Sequence, residues 1–185
     1  MIRELDFTIL DWIQRNCRSA VMDVLMPKVT LFGQMGLFWI VLAVIFLAVR
    51  RYRKCGITLS FGLICSLLIG NLLLKNLIAR SRPCWINTDI DMLIAIPKDY
   101  SFPSGHTLCC FIAAVVILSY DKRLGIPALI IAAAVGFSRM YLYVHFPSDV
   151  LGGMVIGIAI GIFSVLLTRK LMTVYEQNRS GESAG

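Results

Sequence analysis

Four stretches of the chain, residues 29–49, 55–74, 100–120 and 150–168, contain no Asp, Glu, Lys or Arg. Each is close to the ~20 residues that a helix needs to cross a bilayer core. A fifth charge-free run, 124–138, is shorter, but apolar character resumes past Arg139 through Val144. The pattern predicts about five spanning helices in one all-α membrane bundle. Ahead of them, residues 2–18 read as an amphipathic helix, with Ile2, Leu5, Ile9, Trp12 and Ile13 on one side and Glu4, Asp11, Gln14, Arg15 and Arg18 on the other. Such a helix lies in the interface plane or packs against the bundle edge. Glu4, Asp6 and Asp11 interrupt what would have to be the apolar core of a signal peptide, so none is expected. A single domain over 1–175 results: an interfacial segment over 1–28, a transmembrane core over 29–169, and a polar tail over 176–185 expected to be disordered.

Composition agrees with this reading. The chain is 58% hydrophobic and 16% charged, with mean hydropathy +0.78, whereas soluble domains carry roughly 25% charged residues. Cys65, Cys109 and Cys110 lie inside apolar runs, where thiols act as small packing groups. Cys17 and Cys84 could share one face, but no bridge is expected, and no spacing suggests a zinc site.

With five crossings, 1–28, 75–102 and 139–149 share one side. The other side holds 50–54, 121–123 and the chain after 168. That second side carries Arg50, Arg51, Arg53, Lys54, Lys122, Arg123, Arg169, Lys170 and Arg179, mostly in short loops beside the spans. The positive-inside rule makes it cytoplasmic. The first side has as many basic residues, but Lys75, Arg82 and Arg139 have a chemical role there. A bacterial cytoplasmic membrane protein with its site facing outward is therefore expected. Lipid is its expected surrounding, and no nucleic-acid partner is expected.

The chain has two histidines, His106 and His145, and both sit where an apolar run meets that outer side. His106 follows Pro103-Ser104-Gly105, and His145 lies in the turn between the fourth and fifth spans. Lys75 and Arg82 end the second span and Arg139 ends the fourth. Three cations can hold a phosphoryl group and offset charge in its transition state. Ser104 and Gly105 precede a helix, whose unpaired N–H groups favour anions. One imidazole can attack phosphorus while the other protonates the leaving oxygen and later activates water. Spacing alone does not decide which attacks, but Asp149, four residues after His145, favours His145. No metal or cofactor is required by this scheme.

Taken singly, each piece has a duller reading. Lys75, Arg80 and Arg82 suit membrane-flanking cations that snorkel, Pro-Ser-Gly suits an ordinary cap, and a lone histidine is usually structural. Asn71 and Ser66 read as helix-packing residues. Gly152, Gly153, Gly157 and Gly161 form a close-packing stripe without chemistry. The convergence of the charged groups on one face outweighs the separate readings.

Lys75 followed by six residues and Arg82-Pro83, then Pro103-Ser104-Gly105-His106, then Ser138-Arg139, five residues, His145, three residues and Asp149 resembles the three-part signature of the type 2 phosphatidic acid phosphatase superfamily. That superfamily also holds soluble bacterial acid phosphatases and vanadium haloperoxidases. The resemblance implies an all-α bundle and metal-independent hydrolysis through a phosphohistidine. By position it implies that Lys75, Arg82, Ser104, Gly105 and Arg139 bind phosphate, His106 is the acid, His145 the nucleophile and Asp149 its orienting partner. Many membrane relatives have six spans, whereas five are read here. A lipid phosphate or diphosphate is the implied substrate, undecaprenyl diphosphate first and phosphatidylglycerophosphate or phosphatidate second. The rivals from other classes are a haloperoxidase and a non-catalytic transporter or binding protein.

Overall fold

The computed structural model describes residues 2–182, and within them it is helical, with no strand. In order come α1 (Ile2–Asn16), α2 (Ala20–Val29), a 3-10 segment Thr30–Gly36 and α3 (Leu37–Ala48). Next is α4 (Arg53–Cys65), which passes through a π-helical stretch, Ser66–Leu74, into α5 (Lys75–Ile78). The single turn α6 (Pro83–Ile86), α7 (Gly105–Tyr120), α8 (Lys122–Tyr141) and α9 (Pro147–Glu182) complete it. Among the described residues, four helical stretches are long and apolar enough to cross a membrane: Ala20–Ala48, Arg50–Ile86, Lys122–Tyr141 and Pro147–Tyr175. Their outward faces stay apolar, as at Leu37, Val41 and Ile45 of α3, all exposed. An apolar helix surface on every side is what lipid as solvent requires.

The apolar run 100–120 takes a different form from the expected 21-residue span. Residues 100–104 are not helical, leaving α7 with 16 residues, about 24 Å at 1.5 Å per residue. That is shorter than a ~30 Å hydrocarbon core. Its position explains why this is tolerated. Leu108, Cys110, Ile112, Ala113, Ala114 and Val116 are fully buried, with α4, α8 and α9 packed around them. Protein rather than lipid therefore encloses this central helix.

The glycines of α9 set how closely α7 and the turn before it are approached. A Cβ on Gly153 would lie 2.8 Å from the Ser104 carbonyl oxygen, and one on Gly157 2.8 Å from that of Leu108. A Cβ on Gly152 would strike the Phe102 ring. The stripe carries no chemistry itself, but it seats the 101–105 turn on α9. In the first span, Met35 (φ 50°) and Gly36 (φ 68°) break the helix between α2 and α3. The break brings Gly33 so near His106 that a Cβ would lie 2.9 Å from the histidine Cβ.

α1 docks through a face that periodicity did not select. Asp6, Leu10 and Ile13 are buried, whereas Ile2, Leu5, Ile9 and Trp12 are exposed. Of the expected apolar stripe only Ile13 turns inward, so the outer face offers hydrocarbon to its surroundings, as an interfacial helix must. At the other end α9 continues to Glu182. Residues 176–182, expected to be disordered, are thus helical, because propagating an established helix gains a hydrogen bond per residue without a new nucleus. Residues 183–185 of that tail lie outside the described residues. All six cysteines are free; Cys17 and Cys84 pack in one cluster without a bond.

The α7–α9 contact generates a stability prediction. Gly157→Ala should cost on the order of 1–3 kcal/mol through overpacking, read as a lower thermal unfolding midpoint in detergent. Equal or higher stability, the usual result of Gly→Ala in an open helix, would contradict the packing described.

Candidate active site

The local folds that present the functional side chains lie at one end of the bundle. The π-helical stretch ends at Leu74, immediately before Lys75, and such widened turns often mark functional positions in helices. Arg82 stands just before Pro83, which opens α6. Arg139 is in the last turn of α8, Gly105 and His106 begin α7, and His145 occupies the turn leading to Pro147, the first residue of α9. The tight turn after α8 is built on Tyr143 at φ 57°.

Lys75, Arg82, Gly105, His106, Arg139 and His145 all border one cavity of about 700 Å³. Away from them its wall is mainly apolar, including Ile40, Ala43, Val44, Leu63, Ile64 and Leu67, with Ser60, Ser66 and Asn71 as polar interruptions. Ser66 and Asn71 therefore face the cavity as well as the helix packing expected of them. Ser104 lies next to Gly105, one residue back from the cavity wall. It is fully buried, is absent from the cavity wall, and its hydroxyl accepts a hydrogen bond from Thr107 at 3.0 Å.

The cations are buried: Arg82 is 2% exposed and Arg139 3%. Arg82 donates to the Asp99 carbonyl (2.7 Å), the Val144 carbonyl (2.7 Å) and the Asp99 carboxylate (2.9 Å). Asp99 also pairs with Lys75. Burial alone would raise the Asp99 pKa, but the bond from Lys75 and the charges of Arg82 and Lys75 outweigh it and hold it at about 2. Arg139 donates to Thr30 Oγ1 at 2.6 Å. Its Nε is the one buried side-chain nitrogen or oxygen without a hydrogen-bond partner among the described residues. An unsatisfied, buried, charged donor at a cavity wall is costly unless an anion completes it.

Around His145 the donor directions fix the tautomer. Arg82 Nη1 has only protons to offer, so the Nε2 it meets at 3.0 Å holds a lone pair. Nδ1 lies 3.3 Å from Ser101 Oγ, and that hydroxyl donates to Asp149 Oδ2. The Nδ1 proton thus points to Ser101. Asp149 Oδ2 is 3.8 Å from Nδ1, so the orienting link expected from the spacing runs through Ser101. Asp149 is fully buried and also accepts from the Phe146 amide at 2.9 Å. Burial first, then the charges of Arg82, Arg139 and Lys75, push the His145 pKa well below 6.5 despite Asp99. The ring is neutral at physiological pH, with its lone pair toward the cations.

Sequence reasoning missed Ser101, Asp99, Thr30, Arg80 and Asp6. Ser101 lies three residues before Ser104, but nothing in its spacing distinguishes it from loop serines. Asp99 and Asp6 sit outside every motif, and Thr30 is an unremarkable polar residue at the start of a span. Only Arg80, two residues before Arg82, carried a signal, and it was read as a flanking cation. Among the described residues no three His, Cys, Asp or Glu side chains gather as a metal site.

Residues 54–173 match the model of the PAP2 superfamily. The undecaprenyl-diphosphatase of Sulfolobus acidocaldarius is 34% identical over 147 residues, covering 79% of this chain and 70% of that one. Undecaprenyl-diphosphatase BcrC of Bacillus subtilis is 31% identical over 147 residues, covering 77% and 73%. In three dimensions the chain is similar to a transmembrane PAP2-type phosphatidylglycerolphosphate phosphatase from Bacillus subtilis, with TM-score 0.75, 27% identity and coverage of 91% and 87%. By the matched family model, the shared architecture and the convergence of the motif residues on one cavity, this chain belongs to the PAP2 superfamily.

Proposed function

We propose that this multi-pass membrane phosphatase hydrolyses a polyprenyl diphosphate, undecaprenyl diphosphate in particular, through a phosphohistidine at His145. The observation that supports this most is the cavity itself: three cations and a neutral imidazole at one end, hydrocarbon along the rest. A phosphate entering there would take over from Asp99 as the partner of Lys75 and Arg82, and its oxygens would supply the acceptor that Arg139 Nε lacks. As Arg82 turns to phosphate, His145 Nε2 is released to attack phosphorus. The bond from phosphorus to the leaving oxygen breaks, and His106 at the cavity wall, which takes up a proton once the anionic substrate offsets the three cations, gives that proton to the oxygen. The Nδ1 proton stays on the ring, where Ser101 and Asp149 stabilise the positive charge that forms. Water activated by His106 then cleaves the phosphorus–nitrogen bond.

The wall also bears on the substrate. A polyprenyl chain joins hydrocarbon directly to diphosphate, whereas a glycerophospholipid brings hydroxyl and ester oxygens next to its phosphate. Beyond the charged end, Ser60, Ser66 and Asn71 are few partners for such oxygens. The two similar undecaprenyl-diphosphatases support the same choice, and the phosphatidylglycerolphosphate phosphatase keeps a glycerophospholipid as the second reading. The arginine- and lysine-rich loops at the opposite end of the bundle favour a cytoplasmic membrane orientation with the cavity on the outer side.

Purified protein assayed on undecaprenyl diphosphate, phosphatidylglycerophosphate, phosphatidate and a soluble phosphomonoester should release phosphate fastest from the first. His145→Ala should lower that rate on the order of 10³-fold or more. Faster release from phosphatidylglycerophosphate would move the substrate to the second reading, and an undiminished rate in His145→Ala would remove the mechanism. Orientation has its own test. A cysteine at exposed Thr88, with the native cysteines replaced, should react with an impermeant maleimide in intact cells; reaction only after lysis would reverse the topology.

A further inference from the structure

Behind the nucleophile lies a charged chain that the phosphatase scheme does not use. Asp6, on α1, is 3% exposed. Its Oδ2 accepts from Arg80 Nη2 at 2.7 Å and from Ser148 Oγ at 2.6 Å, and its Oδ1 accepts from the Ser148 amide at 2.9 Å. The other arm of the same guanidinium, Arg80 Nη1, donates to Asp149 Oδ1 at 2.6 Å and to Ser148 Oγ at 2.7 Å. Asp149 Oδ2 is committed to Ser101 and to the Phe146 amide. Arg80 therefore holds the remaining oxygen of the carboxylate that steadies His145.

We propose that Asp6 and Arg80 are positioning residues for the His145 nucleophile, so that α1 is a working part of the active site rather than a membrane anchor alone. Three features carry this beyond an ordinary helix tie. First, docking α1 needs no charge, since Leu10, Ile13 and Phe7 already supply apolar contact; a buried ion pair usually adds little stability over apolar groups of similar size. Second, the geometry needs a fork. One guanidinium reaches both carboxylates at once, which the single ammonium of a lysine does poorly. Asp6 keeps Arg80 turned toward Asp149, away from the phosphate-binding cations. Third, the rest of α1 grips the same turn. Phe7 meets Phe146 edge-on at 5.1 Å, Phe146 lies under the Arg80 guanidinium at 4.3 Å, and Asp11 accepts from the hydroxyl of Tyr143, the positive-φ residue. A misplaced imidazole is expensive in rate even when substrate binding is intact.

This inference rests on His145 as nucleophile, so the experiment first requires active wild-type enzyme and inactive His145→Ala; without that pair the functional reading fails, not this one. Asp6→Asn, Arg80→Gln and the double variant of the full chain are then compared for phosphate release from undecaprenyl diphosphate in detergent micelles. Asp6→Asn, an isosteric change, and Arg80→Gln should each lower kcat about 10- to 100-fold with KM within about two-fold. The double variant should be no slower than Arg80→Gln alone, because Asp6 acts through Arg80. Arg80→Lys should recover little of the loss. An unchanged kcat in Asp6→Asn would overturn the proposal. So would losses that multiply in the double variant, or a change confined to KM.

Discussion

Three cations held at one buried site, with the Asp99 carboxylate partly offsetting them, is the constraint around which the molecule is organised. Burial opposes each charge, and the three oppose one another. The arrangement stands because separate elements fix each member. Arg82 is held by backbone carbonyls of the 99–100 and 144 segments and by Asp99, Lys75 by Asp99, and Arg139 by Thr30 at the broken first span. The same field keeps His145 neutral, so the force that gathers an anion also leaves a lone pair ready for it. In the proposed reaction, binding and nucleophile activation therefore share one electrostatic cause.

Lipid makes such a site affordable to build. The helices can leave apolar faces outward, which frees the interior for small residues, close contacts and polar groups. α7, too short to span unaided, sits enclosed at the centre, and the α9 glycines bring its first turn against α9. From the charged end the cavity runs along Ile40, Val44, Ile64 and Leu67, so a headgroup and a hydrocarbon tail find different chemistry along one continuous wall.

Much of this was legible in the sequence, for physical reasons that can be named. Charge-free runs near 20 residues read directly as spans because the bilayer sets their length. Residues whose chemistry is strong at any position, His106, His145, Lys75, Arg82 and Arg139, announced the site. What stayed hidden depends on tertiary contact. Ser101 acquires its role because the 100–104 segment forms a non-helical turn instead of joining α7. The bond that Ser104 Oγ accepts from Thr107 is likewise a tertiary detail that the motif does not announce. Asp6 is a charged residue at the edge of the apolar stripe of α1, and only the docking of α1 on the 141–148 turn explains its burial. The tail was judged by composition, which does not register that α9 already supplies a helix to extend.

The central relation, Arg82 guarding the lone pair of His145 until an anion displaces it, is tested most directly by a structure of the protein with orthovanadate. Vanadium should lie within bonding distance of His145 Nε2, its equatorial oxygens on Lys75, Arg82 and Arg139 Nε, with Asp99 withdrawn from the cations. Vanadium bound at His106 instead, or an anion that leaves the Arg82–His145 contact intact, would contradict it.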